Sequence, residues 1–503
     1  MPSTSRRRFL LGLAAAPIAL SLSCSAAGGS TMLPTGRTRR PLPIPPLAPS
    51  TVDDAGTRHF TLRAAAGSSE LIAGMRTATW GYDGTVLGPT LRARRGETVA
   101  VDFQNDLPEP TTVHWHGMHL PARSDGGPHQ TVSPGGQWRP SWTVRQPAAT
   151  LWYHPHPHGA TEKHVYRGLA GMFIVDDDAR SAVALPHDYG VDDVPLIIQD
   201  RRFTATGALD ESDSTDVGLL GDTILTNGIA GAYLPVRSER IRLRVLNGSG
   251  GRLYNLGFDD DREFHVVGSD GGLLSAPVRV NRVQLSPGER TEIVVDSRPG
   301  ESALLRSFPI EGHAGLDPSE ARRFGIDDTF DVLELRPDRT LTSSGPLPTA
   351  LATLPPPDPS TALTQRSFEL QWFMINRRRM DMTRIDFDAA VDADEIWTVR
   401  NVDNWPHNFH VHDTQFRIVD IDGSPPPAEL AGLKDTVYTP PGQRIRLALR
   451  FSEYTDPTYP YMYHCHLAMH EDQGMMGQFL VLGPDDVPAP LAMDMSGGDH
   501  AMR

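Results

Sequence analysis

The chain is organised by short runs in which apolar and polar residues alternate, a period of two that predicts half-buried β-strands. One such pattern recurs three times. An acidic turn opens an alternating run that ends on asparagine: Gly96-Glu97 to Asn105, Ser238-Glu239 to Asn247, and Asp394-Glu395 to Asn401. Each is followed by a Pro-Gly turn opening a second run, at Ser133-Pro134-Gly135, Ser286-Pro287-Gly288 and Pro440-Pro441-Gly442. Short alternating strands separated by Gly/Pro turns indicate an all-β chain built of β-sandwiches, and threefold repetition indicates duplicated domains. The expected domains are 51–180, 185–340 and 367–485. The Pro/Ser/Thr-rich stretch 28–50 reads as a disordered linker. Residues 341–366, with Pro355-Pro356-Pro357, read as the connection between the second and third domains, and 486–503 as a flexible tail.

Histidines punctuate these strands in pairs. His114-Trp115-His116-Gly117 and His154-Pro155-His156 follow strand-like runs, and residues i and i+2 of a strand share a face, so each pair can offer two imidazoles to one cavity. In His407-Asn408-Phe409-His410-Val411-His412 the last two histidines share a face, whereas His407 has the opposite parity. The fourth motif is His464-Cys465-His466-Leu467-Ala468-Met469-His470, with Met475 beyond it. If Tyr461 to Leu467 is one strand, His464 and His466 face one side and Cys465 the other. Parity thus sorts His114, His116, His154, His156, His410, His412, His464 and His466 to one side. The other side receives His407 and Cys465, with His470 and Met475 beyond the strand as its further candidates.

Two histidines, a cysteine and a weak axial methionine describe a blue-copper electron-transfer site, and eight histidines suffice for a cluster of several coppers. The cysteine backbone would join the two centres covalently. A lone His-x-His pair is more often a surface feature, and a lone cysteine more often an inert core residue. Four such motifs with consistent parity are another matter. His119, His129, His158 and His164 lie near the motifs and read as supporting or surface groups, and His187, His265 and His313 of the second domain as structural or exposed ones.

Composition sets the compartment. The 503 residues carry a net charge of -15, 46 glycines and 44 prolines, which suits a turn-rich β protein. No basic stripe offers a nucleic acid a surface, and the acidity aids solubility or favours cationic substrates. Ser5-Arg6-Arg7-Arg8-Phe9-Leu10 and the apolar run Leu11 to Leu22 resemble a twin-arginine export signal over 1–27, too short for a membrane span. That implies passage through the twin-arginine machinery to an extracytoplasmic location. Cys24 could carry a lipid anchor, or be removed by cleavage after Ser25-Ala26-Ala27. Either way Cys465 is left as the sole thiol, so no intrachain disulfide can form. A lone thiol in an oxidising compartment is a liability unless a metal occupies it.

The four motifs HWHG, HPH, HNFHVH and HCHLAMH match, in order, those of three-domain multicopper oxidases, the family of laccases, bilirubin oxidases and bacterial cuprous oxidases. The resemblance covers roughly residues 50–485 and implies three cupredoxin-like Greek-key domains. It implies four copper ions. The type 1 ion would take His407, Cys465, His470 and axial Met475, and the type 2 ion His114 and His410. The type 3 pair would take His116, His154, His156, His412, His464 and His466. Asp125, in the Ser-Asp-Gly-Gly-Pro segment, and Glu471 would supply protons as O2 is reduced to water. The second domain would space the other two and help shape the substrate surface. Electrons would enter through an exposed edge of His407 or His470, from phenols or aromatic amines in a laccase-like reaction, or from Cu(I) or Mn(II) in a metal-ion oxidase. Met374, Met380 and Met382 are too few for a Met-rich copper insert. Cell-division scaffolds related to this family keep the fold and typically lose ligands; here no ligand position is missing. Domains one and three each give the cluster four histidines, so copper is expected to stabilise their arrangement by linkage.

Overall fold

The structure is a computed structural model describing residues 30–31, 39–178, 183–212 and 217–491. The signal-like segment 1–27 with Cys24, and 492–503 of the expected tail, lie outside the described residues.

Domains one and three carry their histidines on matching sheets. In domain one the strand order is Leu91–Arg94, Gly171–Asp176, Ala149–His154, His114–His116. In domain three Phe387–Ala390, Met476–Leu482, Tyr461–His464 and His407–Val411 follow the same order, with Thr436–Thr439 added at the edge. The first pair in each series is parallel and the next antiparallel. A second sheet in each domain holds the repeated Asn-terminated strand, Thr98–Asp106 or Asp394–Asn401. Between the sheets lie Phe60, Phe103, Trp115 and Phe173 in domain one, and Phe368, Trp397, Phe409 and Phe479 in domain three. Domain two pairs two seven-stranded sheets over a core that includes Leu243, Leu256 and Phe264. The alternation read from the sequence therefore marks sandwich strands.

The repeat has a hydrogen-bonding purpose. Asn105 Nδ2 donates to the carbonyls of Glu109 and Val132, Asn247 Nδ2 to those of Arg252 and Leu285, and Asn401 Nδ2 to those of Trp405 and Thr439. The side-chain oxygen of each accepts the amide two residues on, from Leu107, Ser249 and Asp403. The backbone carbonyl of each accepts the amide of the Pro-Gly turn glycine, Gly135, Gly288 or Gly442. One buried asparagine per domain thus satisfies the polar groups where strand, loop and turn meet, and only a carboxamide offers both donors and acceptor there.

Two connecting segments are more ordered than their composition suggests. From residue 39 the expected disordered linker 28–50 is built into the fold. Arg40–Pro41 pairs with Ala232–Ser238 of domain two, Leu42 is buried in that domain's core, and Ser50–Val52 pairs with Thr57–Ile72 of domain one. Ile44 and Ala48 pack against the cores of domains two and one, and Arg39 pairs with Asp331 and Glu334; such scattered contacts have no compositional signature. The connection 341–366 packs Leu351 into a cluster with Leu185, Val267 and Val294 of domain two, and its last residues open the strand Thr364–Gln371. No helix among the described residues is long and apolar enough to cross a membrane.

Asn247→Ala leaves two buried carbonyls and one amide without partners, at about 1–3 kcal/mol each before relaxation. Calorimetric melting of this variant is expected several degrees below wild type. An unchanged melting temperature would contradict the structural role given to the repeat.

Candidate metal centres

Strand register brings the histidines together. His114 pairs directly across from His154 in domain one, and His410 across from His464 in domain three. The two ligand-bearing strand pairs then face each other across the domain interface. His156 Nε2 and His412 Nε2 each lie 3.2 Å from His464 Nε2, and His154 Nε2 lies 3.4 Å from His466 Nε2. The His114 ring stacks on His412 at 3.9 Å and the His116 ring on His410 at 3.8 Å. All eight are buried.

The other ring nitrogens are tied back to the protein. His114 Nδ1 donates to Asp125 O at 2.9 Å, His410 Nδ1 to Asp435 O at 2.9 Å and His412 Nδ1 to Asp125 Oδ2 at 2.7 Å. His154 and His464 donate Nδ1 to the carbonyls of Pro155 and Cys465. Each such bond fixes the tautomer and turns an Nε2 lone pair inward. His116 is reversed: Nε2 donates to Asp435 Oδ1 at 2.9 Å, and Nδ1 is left over. His114 Nε2, His410 Nε2 and His116 Nδ1 are buried without a hydrogen-bond partner. Burial, and then neighbouring imidazoles, hold His154, His156, His412 and His464 well below the usual imidazole range, so they stay neutral. Neutral lone pairs converging in a dry pocket form a cation site, and several overlapping groups of three fit a metal.

The second centre lies on the other face of the same chain segment. Cys465 Sγ is 3.6 Å from His407 Nδ1 and from His470 Nδ1, which are 3.2 Å from each other. Met475 is fully buried beside them, its carbonyl accepting the Cys465 amide and its amide bonded to His470 O. Burial raises the Cys465 thiol to about 12, so it keeps its proton until a cation displaces it. The expected strand from Tyr461 to Leu467 ends at His464. A straight strand would carry His470 away. Instead the chain turns through Cys465–Leu467 into the helix Ala468–Asp472, which brings His470 back to the sulfur. The expected exposed edge of His407 or His470 is also corrected, for both rings are fully buried. Asp403 Oδ2 covers His407 Nε2 at 3.2 Å, and Phe373 and Trp405 stack near His470 at 5.4 and 6.0 Å.

Both expected acids sit beside the cluster. Asp125 holds His412 and His114; its loop crosses so close that a Cβ on Gly126, at φ 79°, would fall 1.7 Å from Val113 O. Glu471 accepts from Thr161 at 2.6 Å and lies 3.2 Å from His156 Nδ1 and 3.4 Å from His464 Nδ1. Burial, and then Asp472, push Glu471 well above the usual carboxylate range. Of the supporting histidines, His164 is buried against Thr111 and Glu109, His129 bonds to Gln478 and His119 to Asp413, while His158 is exposed.

Domain two contributes more than spacing. Its Pro-Gly turn touches the histidine cluster on both of its sides: a Cβ on Gly288 would lie 3.1 Å from the His466 ring of domain three and 3.2 Å from His116 of domain one. Asn408 donates to Ser286 Oγ and Pro287 O while accepting the His466 amide at 2.6 Å. Arg290 is completely buried, 2.7 and 2.5 Å from the two Asp435 oxygens, and donates to Thr150 O of domain one. Arg290 therefore joins all three domains and holds the carboxylate that orients His116. Sequence reasoning missed Arg290, Asp435, Asn408 and Asp403. Only Lys434-Asp435, a charge pair beside the alternating run Thr436–Thr439, was there to be noticed.

A multicopper oxidase family model matches residues 64–180, and a second matches residues 353–485. A multicopper oxidase, mco, of Staphylococcus haemolyticus is 34% identical over 446 residues, 87% of this chain and 92% of the relative. The chain belongs to the multicopper oxidase family. Other kin of this multicopper oxidase differ in role. Cell division protein FtsP of Salmonella typhimurium is 36% identical over 489 residues, covering 95% of this chain and 99% of FtsP. The crystal structure of the laccase-like multi-copper oxidase CueO from the lignin-degrading bacterium Ochrobactrum sp. superposes with a TM-score of 0.79. It is 34% identical and covers 88% of this chain and all of that one, and it is described as having oxidase activity towards lignin model compounds and lignosulfonate. The cupredoxin-like architecture and the copper chemistry of the family thus fit the convergent donor sets described above.

Arg290→Met strands the buried Asp435 carboxylate, and breaking such a pair costs about 3–5 kcal/mol. The copper-free variant is expected to melt several degrees below wild type and, when copper is added, to retain less of it. Wild-type melting and full copper retention would show that domain two is only a spacer.

Proposed function

We propose that this protein is a copper-dependent oxidase that removes single electrons from small phenolic or aromatic amine donors and reduces O2 to water. The observation that carries the proposal is the complete, buried and convergent donor set at both centres, for which a scaffold has no need. In this reading His407, Cys465, His470 and Met475 hold a type 1 ion. His114 and His410 hold a type 2 ion, and His116, His154, His156, His412, His464 and His466 a type 3 pair, four coppers in all. Bound there, copper supplies one-electron oxidation of the donor and four-electron reduction of O2. The protein's part is to connect, orient and deliver protons. Cys465 belongs to one centre and its neighbours His464 and His466 to the other, so two peptide units join them. Asp125 and Asp435 fix imidazole tautomers, and Glu471, hydrogen-bonded by Thr161, stands close enough to His156 and His464 to hold a proton for the reaction.

A laccase-like donor is supported by the aromatic surroundings of His470 and by the likeness to a laccase-like oxidase. A Cu(I) or Mn(II) oxidase is the second reading, for which Met374, Met380 and Met382 between residues 360 and 400 speak weakly. The arginine pattern at Ser5–Leu10 supports twin-arginine export to an extracytoplasmic compartment, with Cys24 available for a lipid anchor.

Two measurements test these assignments. With copper-loaded protein, rapid O2 uptake on a methoxyphenol without added copper is expected; uptake with Cu(I) alone would establish the metal-ion reading, and none with any donor the scaffold. Glu471→Gln is expected to leave reduction of the blue centre intact while slowing O2 consumption by about 10²-fold, as for loss of a general acid. Unchanged turnover would remove Glu471 from the proton path.

A further inference from the structure

The outer wall of the sulfur-bearing centre is a short hairpin whose charge runs against that of the chain. Strands Thr364–Gln371 and Met374–Ile375 pair Gln371 with Met374, leaving Trp372 and Phe373 as the two-residue turn. Phe373 turns inward, 5.4 Å from the His470 ring. Trp372 has a left-handed backbone, φ 54°, a strained conformation for a bulky residue that persists only where the surrounding structure holds it. What holds it is Asp403, which accepts the Trp372 amide with the same oxygen that lies 3.2 Å from His407 Nε2. The indole is nevertheless 51% exposed. A large aromatic face is thereby fixed in solvent on the outer side of the His407–His470 pair.

Beside it run Arg377, Arg378 and Arg379, all exposed. Asn376 and Arg377 are left-handed too, at φ 51° and 62°, so the chain turns back and presses onto the ligand loop. Met380 donates its amide to Gly474 O at 2.8 Å, and Arg379 lies over the Phe373 ring at 5.5 Å. Among the described residues none of the three arginines has an ion-pair partner. The nearby aspartates are engaged elsewhere, Asp381 with Thr383 and Arg384, Asp386 with Arg384 and Tyr463, Asp403 with His407 and Trp372, while Glu369, across the ladder from Asn376, is the exposed acid of the hairpin itself. In a chain with 62 acidic and 47 basic residues, Arg377 sits at the turn-back of this hairpin and Arg379 lies over Phe373 beside the ligand loop, while Arg378 faces a separate pocket with Arg366 and Tyr463.

We propose that this hairpin selects aromatic donors bearing an anionic group, a carboxylated or sulfonated phenol, with the ring on Trp372 and the anion held by Arg377 and Arg379. Guanidinium forks match carboxylate and sulfonate oxygens, and an indole face offers the ring a stacking partner. The proposal rests on the oxidase reading above. Four such phenols each lose one electron and one phenolic proton, leaving four phenoxyl radicals; the four electrons and four protons convert one O2 to two waters. The chain's net acidity aids solubility; the local charge beside the donor face is of the opposite sign.

The test compares kcat/KM of copper-loaded wild type for a sulfonated methoxyphenol, its uncharged parent and a cationic aromatic amine, at low and high salt. The anionic donor is expected to be favoured about tenfold or more at low salt, through KM, with the advantage shrinking as salt screens the arginines. Arg377→Gln with Arg379→Gln is expected to lower the anionic-to-neutral ratio about tenfold. Equal rates for all three donors, a salt-independent ratio, or a ratio preserved in the variant would overturn the selection while leaving the oxidase reading standing. Failure to oxidise any donor, charged or neutral, would remove both.

Discussion

Everything in this protein is arranged around buried imidazole nitrogens that point at one another. Lone pairs packed together in a dry interior repel and have no water to bind, so the arrangement is stable only when a cation satisfies it or when the surrounding structure leaves the rings no choice. Both conditions are built in. The Nδ1 atoms of His114, His154, His410, His412 and His464 are consumed by carbonyls or by Asp125, and His116 is turned the opposite way by Asp435. Because His114 faces His154 in one domain and His410 faces His464 in the other, the pocket exists only while the two sandwiches stay docked.

Docking is where the second domain acts. A buried guanidinium and carboxylate are costly to desolvate and are worthwhile only when every lone pair and proton is matched. Arg290 meets that demand through Asp435, Thr150, Gly288 and Asp270, contacts that span all three domains. Nearby, Lys434 bridges Asp270 and Glu289 at 3.0 Å each. Asp472 of domain three accepts the amides of Thr161 and Glu162, capping a helix of domain one. These contacts specify an orientation more than they add stability, and orientation is what a shared cluster needs.

Local pattern made much of this legible in advance. Alternation and the repeated asparagine marked sandwich strands, and strand parity alone separates Cys465 from His464 and His466, although the Cys465 segment is not a strand beyond His464. The sorting survived because the turn after His464 still sends Cys465 and His466 to opposite sides. What escaped was long-range. Arg290 and Asp435 are single charges 145 residues apart, with no periodicity to announce that they meet. Leu42 and Ile44 on the core of domain two, with Arg39 paired to Asp331 and Glu334, order a segment that composition marks as disordered. Burial of His470 could not be read either, because part of the wall that covers it is Phe373, in a hairpin nearly a hundred residues upstream.

Copper that satisfies the interdomain cluster makes binding and domain docking one equilibrium. The most direct measurement is calorimetric unfolding of the full chain, copper-free and after titration with copper. Ligand that binds only the folded state raises stability as RT ln(1 + [L]/Kd), about 2.7 kcal/mol at a hundredfold excess over Kd. The account predicts a melting temperature that climbs as copper is added, with domains one and three unfolding together in the loaded protein. A melting temperature indifferent to copper, in protein that contains it by direct assay, would contradict it.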